Sequence, residues 1–250
     1  MEQRVKVIAA GVAGRMGQTV CRALLRSAGA ELVGAVDPAW AGRELGEALP
    51  GAPPGLRVAA EAEEALARWP AEVWVDFTLA AAARAAIPQA IARGVAPVVG
   101  TTGLDPAEVN TWEEECRRRG LGAAFIPNFS VGAMLLERFA RWAAALMEGA
   151  EIIELHHAGK RDAPSGTALR LTKAISAAQN EDRRYPIPIH SVRLPGLLAH
   201  HEVLFGREGE TLLLRHDVRD RSAFIPPLLL TIRRVARERL VARSLEEVFT

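Results

Sequence analysis

Short apolar runs alternate with amphipathic stretches along the first half of the chain, and that alternation sets the expected fold. Residues 5–10, 31–36, 73–78, 95–99 and 121–126 are β-rich runs, each read as a buried strand. Between them, 18–28, 61–68, 80–93 and 105–119 carry apolar positions at helical spacing, with a kink or break expected at Pro88. The stretch 38–57 is rich in Gly and Pro and reads as a surface loop. Strand alternating with helix is the pattern of a Rossmann-like, doubly wound parallel α/β sheet. After residue 127 the rhythm changes. A long helix is expected over 131–149, with Met134, Leu135, Leu136, Phe139, Trp142 and Leu146 as its apolar positions. A strand at 151–155 and a helix over 168–178 come next. Strands at 187–193, 201–205 and 211–218 follow without helices between them, the last two joined by a hairpin loop at 206–209. This second segment is α+β, with a mixed or antiparallel sheet. A leucine-rich helix over 222–237 closes the pattern and returns toward the first domain; Pro226 and Pro227 fit it only in or before its first turn.

The turns at the strand ends carry the first chemistry. Gly11-Val12-Ala13-Gly14-Arg15-Met16-Gly17 joins the first strand to the first helix, and Asp37 ends the second strand, 20 residues after Gly17. Strand, glycine turn, helix, strand and terminal acid make a mononucleotide-binding unit. The glycines let the backbone approach a pyrophosphate at the helix N-terminus, and the acid reaches for the adenosine ribose. The spacing is Gly-x-x-Gly-x-x-Gly, not the commoner Gly-x-Gly-x-x-Gly. Carboxyl ends of strands in an open α/β sheet face the ligand crevice, which places Gly100-Thr101-Thr102-Gly103 and the segment from Pro127 to Gly132 beside the cofactor. The Gly-Thr-Thr-Gly turn reads equally as a plain connection held by threonine contacts.

The densest polar chemistry lies in Glu154-Leu155-His156-His157-Ala158-Gly159-Lys160-Arg161-Asp162-Ala163-Pro164-Ser165-Gly166-Thr167-Ala168. A strand delivers acid–base groups into a loop that closes on a helix N-terminus. Ser165 or Thr167 can cap that helix, whose first-turn N–H groups form an anion site. The pattern points to a pocket for a small carboxylate-bearing substrate with proton-transfer groups beside it. Lysines occur only at 6, 160 and 173 among 31 basic residues, so Lys160 marks a place where a proton that can be given up is wanted.

Composition narrows the class further. Apolar content of 49% and charged content of 24% over 250 residues suit one large or two modest globular domains. A net charge of +1 gives no electrostatic case for nucleic acid or an anionic membrane as a partner. No apolar segment approaches the roughly 18–20 residues needed to span a bilayer, and Met1-Glu2-Gln3-Arg4 runs straight into the first strand without a signal peptide. Cys21 and Cys116 lack metal-ligand spacing and read as reduced thiols of a cytoplasmic protein.

Taken in order, the anchors Gly11-x-x-Gly14-Arg15-Met16-Gly17, Val75-Asp76-Phe77-Thr78, Gly100-Thr101-Thr102-Gly103, Asn128-Phe129-Ser130-Val131-Gly132 and the 154–168 stretch resemble the dihydrodipicolinate reductase family nearly end to end. The resemblance implies a dinucleotide-binding domain over 1–127 plus 219–250, and a substrate-binding domain over 128–218 whose sheet builds a homotetramer. It implies NADH- or NADPH-dependent reduction of a cyclic dicarboxylic imine to tetrahydrodipicolinate in lysine and diaminopimelate biosynthesis. Carried over by position, His156 is the acid/base and Lys160 the proton donor. His157, Ser165, Gly166, Thr167 and Arg221 match positions that hold the substrate. Gly11, Val12, Ala13, Gly14, Arg15, Met16, Asp37, Gly100, Thr101, Thr102, Ile126, Pro127, Asn128 and Phe129 match cofactor contacts; no metal is implied. Asp37 followed by Pro38 favours NADH over NADPH, although Arg15 and Arg43 could pair with a 2′-phosphate. Asp162 either orients Lys160 or shapes the loop, the second being favoured.

The chain departs from the family pattern at Arg193-Leu194-Pro195-Gly196, at Ala199-His200-His201-Glu202-Val203 and at Phe224-Ile225-Pro226-Pro227-Leu228. Rival readings are another two-domain nicotinamide reductase for imino or keto acids and a non-catalytic NAD(H)-binding protein. A metal site pairing His156 and His157 with His200 and His201 is disfavoured, since adjacent strand residues point to opposite faces.

Overall fold

The computed structural model describes residues 3–180 and 184–250; Met1 and Glu2, where the reading of an absent leader begins, lie outside them. The alternating first half folds as β1 (Val5–Ala10), α1 (Arg15–Arg26), β2 (Ala30–Val36), α2 (Leu45–Ala48), α3 (Ala62–Arg68), β3 (Val73–Asp76), α4 (Ala80–Ala92), β4 (Ala96–Val99), α5 (Pro106–Arg118) and β5 (Ala123–Phe125). Every residue of β3 and β4 is buried, as strands covered on both faces require. Two expectations need correction. Pro88 does not break α4, which runs through it with Ala83, Ala86, Ile87, Ala90 and Ile91 buried. That packed face outweighs the cost of the missing N–H, about 3 kcal/mol in an unsupported helix. The 38–57 stretch is not a plain surface loop, because α2 lies within it and Leu45 and Leu49 are fully buried. A one-turn helix is too short to show a period in sequence.

The second segment begins with α6 (Val131–Ala144), capped by the Ser130 hydroxyl, which accepts the Ala133 N–H at 3.2 Å. It stops five residues short of the expected end because Gly149 opens β6 (Gly149–His156). Its buried face is Ala133, Leu136, Ala140, Ala143 and Ala144, while Leu135, Phe139, Trp142 and Leu146 are exposed. Then come α7 (Gly166–Ala178), β7 (Ile189–Arg193), β8 (Ala199–Arg207) and β9 (Glu210–Val218). The sheet order is β7-β6-β8-β9, with β6 and β7 parallel and the other pairs antiparallel, so the sheet is mixed. Ile152, Val203 and Phe205 from one face pack against Leu136 and Ala140 of α6 and Leu171 and Ile175 of α7. The other face carries Glu151, Ile153 and Leu155 of β6, then His200, Glu202 and Leu204 of β8 opposite Asp217, Arg215 and Leu213 of β9.

The chain closes with a 3₁₀ turn (Arg221–Phe224), α8 (Ile225–Glu238), β10 (Val241–Ala242) and α9 (Leu245–Phe249). Both prolines fall in the first turn of α8, where no intrahelical N–H is lost. The first sheet then reads β10-β5-β4-β3-β1-β2, all parallel. Helices α3, α4 and α5 pack successively along it, and α8 packs on α1 and on β1 to β5. Strand β10 and helix α9 had no counterpart in the sequence pattern. The chain divides into two compact units, Met1–Phe129 with Phe224–Thr250, and Ser130–Ala223. Among the described residues no helix is long and apolar enough to cross a membrane.

Candidate active site

In the first unit, the glycine turn is dictated by close approach. Gly11 has φ +84°, and a Cβ on Gly17 would lie 1.9 Å from the Gly11 carbonyl oxygen. Helix α1 therefore starts at Arg15, earlier than its apolar period suggests, with Gly14 as its cap and no side chain bonding its first-turn N–H groups. The first turn carries no acid, so Arg15, Met16 and Gly17 present free donors at the positive end of the helix dipole. Asp37 sits beside this turn: its carboxylate accepts the Ala13 N–H at 2.9 Å and the Ala39 N–H at 2.9 Å. Those bonds fix an acid next to Val12 and Ala13, where a ribose hydroxyl could be met and a phosphate repelled.

The Gly100–Gly103 turn is organised by Asp76, a fully buried carboxylate at the end of β3. Asp76 accepts the Thr101 hydroxyl at 2.7 Å, the Thr78 hydroxyl at 2.6 Å and the Trp74 indole N–H at 2.9 Å. The Thr101 hydroxyl is thus committed to the scaffold, and only the turn's backbone and Thr102 remain for a ligand. Gly100 makes room for Phe77, whose ring edge would lie 2.2 Å from a Cβ there. Phe77 in turn packs at 5.9 Å on Phe129, while Ile126 donates its N–H to the Val99 carbonyl. A cleft of about 250 Å³ opens beside the turn, lined by Thr101, Thr102, Phe125, Pro127 and Arg243 among others. Asn128 lies half-buried at the same strand end.

In the second unit, β6 delivers Glu154 and His156 to one face, two residues apart, and both are buried. The Glu154 carboxylate, 0% exposed, is the hub. It meets His156 Nδ1 on one oxygen, Arg193 Nη1 at 3.0 Å and Nη2 at 2.7 Å, and the Ser165 N–H at 3.2 Å. Burial opposes its charge, yet hydrogen bonds from Arg193, Ser191 and His156 hold it below the usual carboxylate range. Burial pulls His156 below its ordinary value; Glu154 opposes that pull, and Lys160 and Arg193 add to it.

Ser165 caps α7, its hydroxyl accepting the Ala168 N–H at 3.2 Å and lying 3.2 Å from His201 Nε2. Burial pushes His201 down to about 3, so its ring stays neutral, and it packs edge-on against His156 with centroids 5.3 Å apart. Gly166 and Thr167 occupy the first turn of α7, with their N–H groups available to an anion. Lys160 Nζ donates to both carboxylate oxygens of Asp162 at 2.8 Å, and Arg193 Nη2 donates to the Asp162 carbonyl at 2.7 Å. Asp162 therefore orients Lys160, whereas the loop-shaping part belongs to its backbone.

The structure thus joins His156, Lys160 and Ser165 through Glu154, Asp162 and Arg193. His157 is half-buried at the end of β6, and Arg221 lies half-buried in the 3₁₀ turn. Three residues escaped the sequence reading as participants. Glu154 was legible in principle, since residues two apart on a strand share a face; Arg193 and His201 come from other strands by pairing alone. His200 lies on the opposite sheet face and pairs with Asp217 at 2.7 Å, which separates it from His156. Among the described residues no cluster of three or more His, Cys, Asp or Glu is arranged to hold a metal.

Comparison with known proteins covers both units. Residues 5–129 match the family profile described as "Dihydrodipicolinate reductase, N-terminus", and residues 132–249 match "Dihydrodipicolinate reductase, C-terminus". The 4-hydroxy-tetrahydrodipicolinate reductase of Symbiobacterium thermophilum is 49% identical over 248 residues, 98% of each chain. That of Moorella thermoacetica is 41% identical over 98% of this chain and 97% of its own. Among solved structures, a dipicolinate-bound dihydrodipicolinate reductase from Paenisporosarcina sp. TG-14 aligns with TM-score 0.80 and 32% identity, over 98% of this chain and 99% of its own.

Proposed function

The chain belongs to the dihydrodipicolinate reductase family, and on that premise we propose how its residues divide the work of reducing 4-hydroxy-tetrahydrodipicolinate with a nicotinamide dinucleotide. The product is tetrahydrodipicolinate, a step toward diaminopimelate and lysine. Loss of water from the 4-hydroxy ring gives a conjugated imine; a hydride from the nicotinamide and a proton from the protein then give the product. The observation that carries this reading is the joining of His156 and the α7 N-terminus around one buried carboxylate, with Lys160 tied to it through Asp162 and Arg193, within a chain alike to named reductases over 98% of its length. The likenesses at 32–49% identity are to proteins named as this reductase, which does not favour another imino- or keto-acid reductase or a passive NAD(H) binder.

Hydride addition drives electron density onto the ring, and a positioned acid relieves it. His156 and Lys160 are the residues for that proton. The N–H groups of Gly166 and Thr167 with the Ser165 cap receive one ring carboxylate, and His157, Lys160 or Arg221 receives the other. The dicarboxylate ligand of the Paenisporosarcina homologue supports this class of substrate. The first unit takes the cofactor: the pyrophosphate at the first turn of α1, along Gly11 to Met16, and the nicotinamide end near Gly100, Thr101, Thr102 and residues 126–129. The carboxylate of Asp37, held by two backbone donors, repels a 2′-phosphate, so NADH serves at least as well as NADPH. A homotetramer is assigned to the outer face of the mixed sheet, where Leu204 and Leu213 pair across β8 and β9 and stand 40% and 52% exposed. Two buried, unpaired cysteines accord with a cytoplasmic setting.

Steady-state assays coupled to the synthase that makes the substrate test the assignment. Wild type is expected to oxidise NADH at least as efficiently as NADPH. His156→Ala and Lys160→Ala should each lose about 10²-fold or more in kcat while still binding NADH. Wild-type rates with NADPH tenfold above those with NADH would overturn the cofactor assignment, and unimpaired variants would overturn the proton assignment.

A further inference from the structure

We propose that Glu154 is a positioning residue for the acid–base group: its carboxylate holds His156 in the Nδ1–H tautomer, so that Nε2 is the nitrogen that exchanges protons with the substrate. Arg193 and the Ser165 N–H hold the carboxylate in turn. The inference rests on the reductase reading and deepens it.

Three features carry it. An ionised carboxylate can only accept, so the ring nitrogen facing it must bear the hydrogen, and Nδ1 faces it. Glu154 is wholly buried, so no water can take its place, and its charge is balanced by the two donors of Arg193. A further donor to it is the N–H of the residue that caps α7. One side chain therefore sets the position of His156 relative to the helix start that receives the substrate carboxylate. An error of an ångström in that relation is costly to catalysis. Neither Lys160, paired with Asp162, nor His201, bonded to Ser165, offers the ring an alternative anchor.

The charges facing His156 are Glu154 on its own strand, Lys160 in the following loop and Arg193 on β7. His201 on β8 faces it as a neutral ring, with His216 on β9 and Arg170 on α7 one shell beyond. Glu154 is the group among them that favours the imidazolium, the form that donates a proton. Opposite signs follow for two substitutions. Glu154→Gln removes the favourable charge and leaves Arg193 unbalanced, so the high-pH limb of kcat should move down by about one unit or more. Arg193→Gln leaves Glu154 unopposed, so that limb should move up. A merely structural role would lower activity in both variants with the limb in place.

The test is the pH profile of kcat for the full-length wild type, Glu154→Gln and Arg193→Gln with the synthase-generated substrate and NADH. We expect kcat of Glu154→Gln to fall about 10- to 100-fold at neutral pH, with KM for NADH within twofold of wild type. Limbs unmoved in both variants, or moved in the same direction, overturn the proposal while an active wild type leaves the reductase reading standing. A wild type inert with this substrate overturns both. Should Glu154→Gln fail to fold, the sign of the Arg193→Gln shift decides.

Discussion

At the scale of single residues, the second unit uses two neighbouring histidines in opposite ways. His156 has a carboxylate against its Nδ1 and can carry charge; His201 has a serine hydroxyl against its Nε2 and is buried. Burial holds the His201 value at about 3, against an ordinary 6.5. Between those two pH values the unfolded chain binds a proton that the folded chain refuses. Folding stability from this residue is therefore intact above pH 6.5 and declines as the pH falls toward 3. The total loss at the acid end is roughly 3–5 kcal/mol, so even mild acid should register. Thermal melts of wild type and His201→Gln between about pH 7 and pH 4.5 would measure it. The wild-type Tm should drop more steeply than that of His201→Gln; parallel slopes would mean that His201 is not held neutral by the fold.

At the scale of elements, the sheets explain what the sequence disclosed and what it hid. The parallel strands were legible because burial on both faces demands unbroken apolar runs such as 73–76 and 96–99, and the glycine turn because Gly11 and Gly17 tolerate no side chain. The helix at α7 was legible from its cap. Hidden were β10 and α9, too short to show a period, and the true face of α6, where a run of apolar residues concealed that alanines do the packing. Also hidden was every cross-strand partnership: Arg193 reaches Glu154 only because β7 pairs with β6 in a register that local sequence does not state. The proposed assembly face belongs to the same sheet. Its outer face interleaves Ile153, Leu155, Leu204 and Leu213 with the ion pair Arg215–Glu202 at 2.6 Å and the hydrogen-bonded pair His200–Asp217 at 2.7 Å. Leu213→Glu would bury an unpaired carboxylate in any assembly across that face. Sedimentation should find tetramers in wild type and smaller species in the variant; unchanged tetramers would place the interface elsewhere.

At the scale of the whole molecule, two units carry complementary equipment. One has a glycine turn, an anchored Asp37 and a strand-end turn stiffened by Asp76; the other has a buried acid–base cluster at a helix start. The likeness to named reductases runs through both units. Hydride transfer needs both ligands, and under the proposed division of work the full chain is required to supply both sets of residues. The most direct measurement is label transfer: wild-type protein is given synthase-generated substrate and NADH deuterated at the transferred C4 position, and the product is analysed by mass spectrometry. The expected product is tetrahydrodipicolinate carrying one deuterium for each NADH oxidised. Product without the label, or NADH left unoxidised beside an intact substrate, would contradict it.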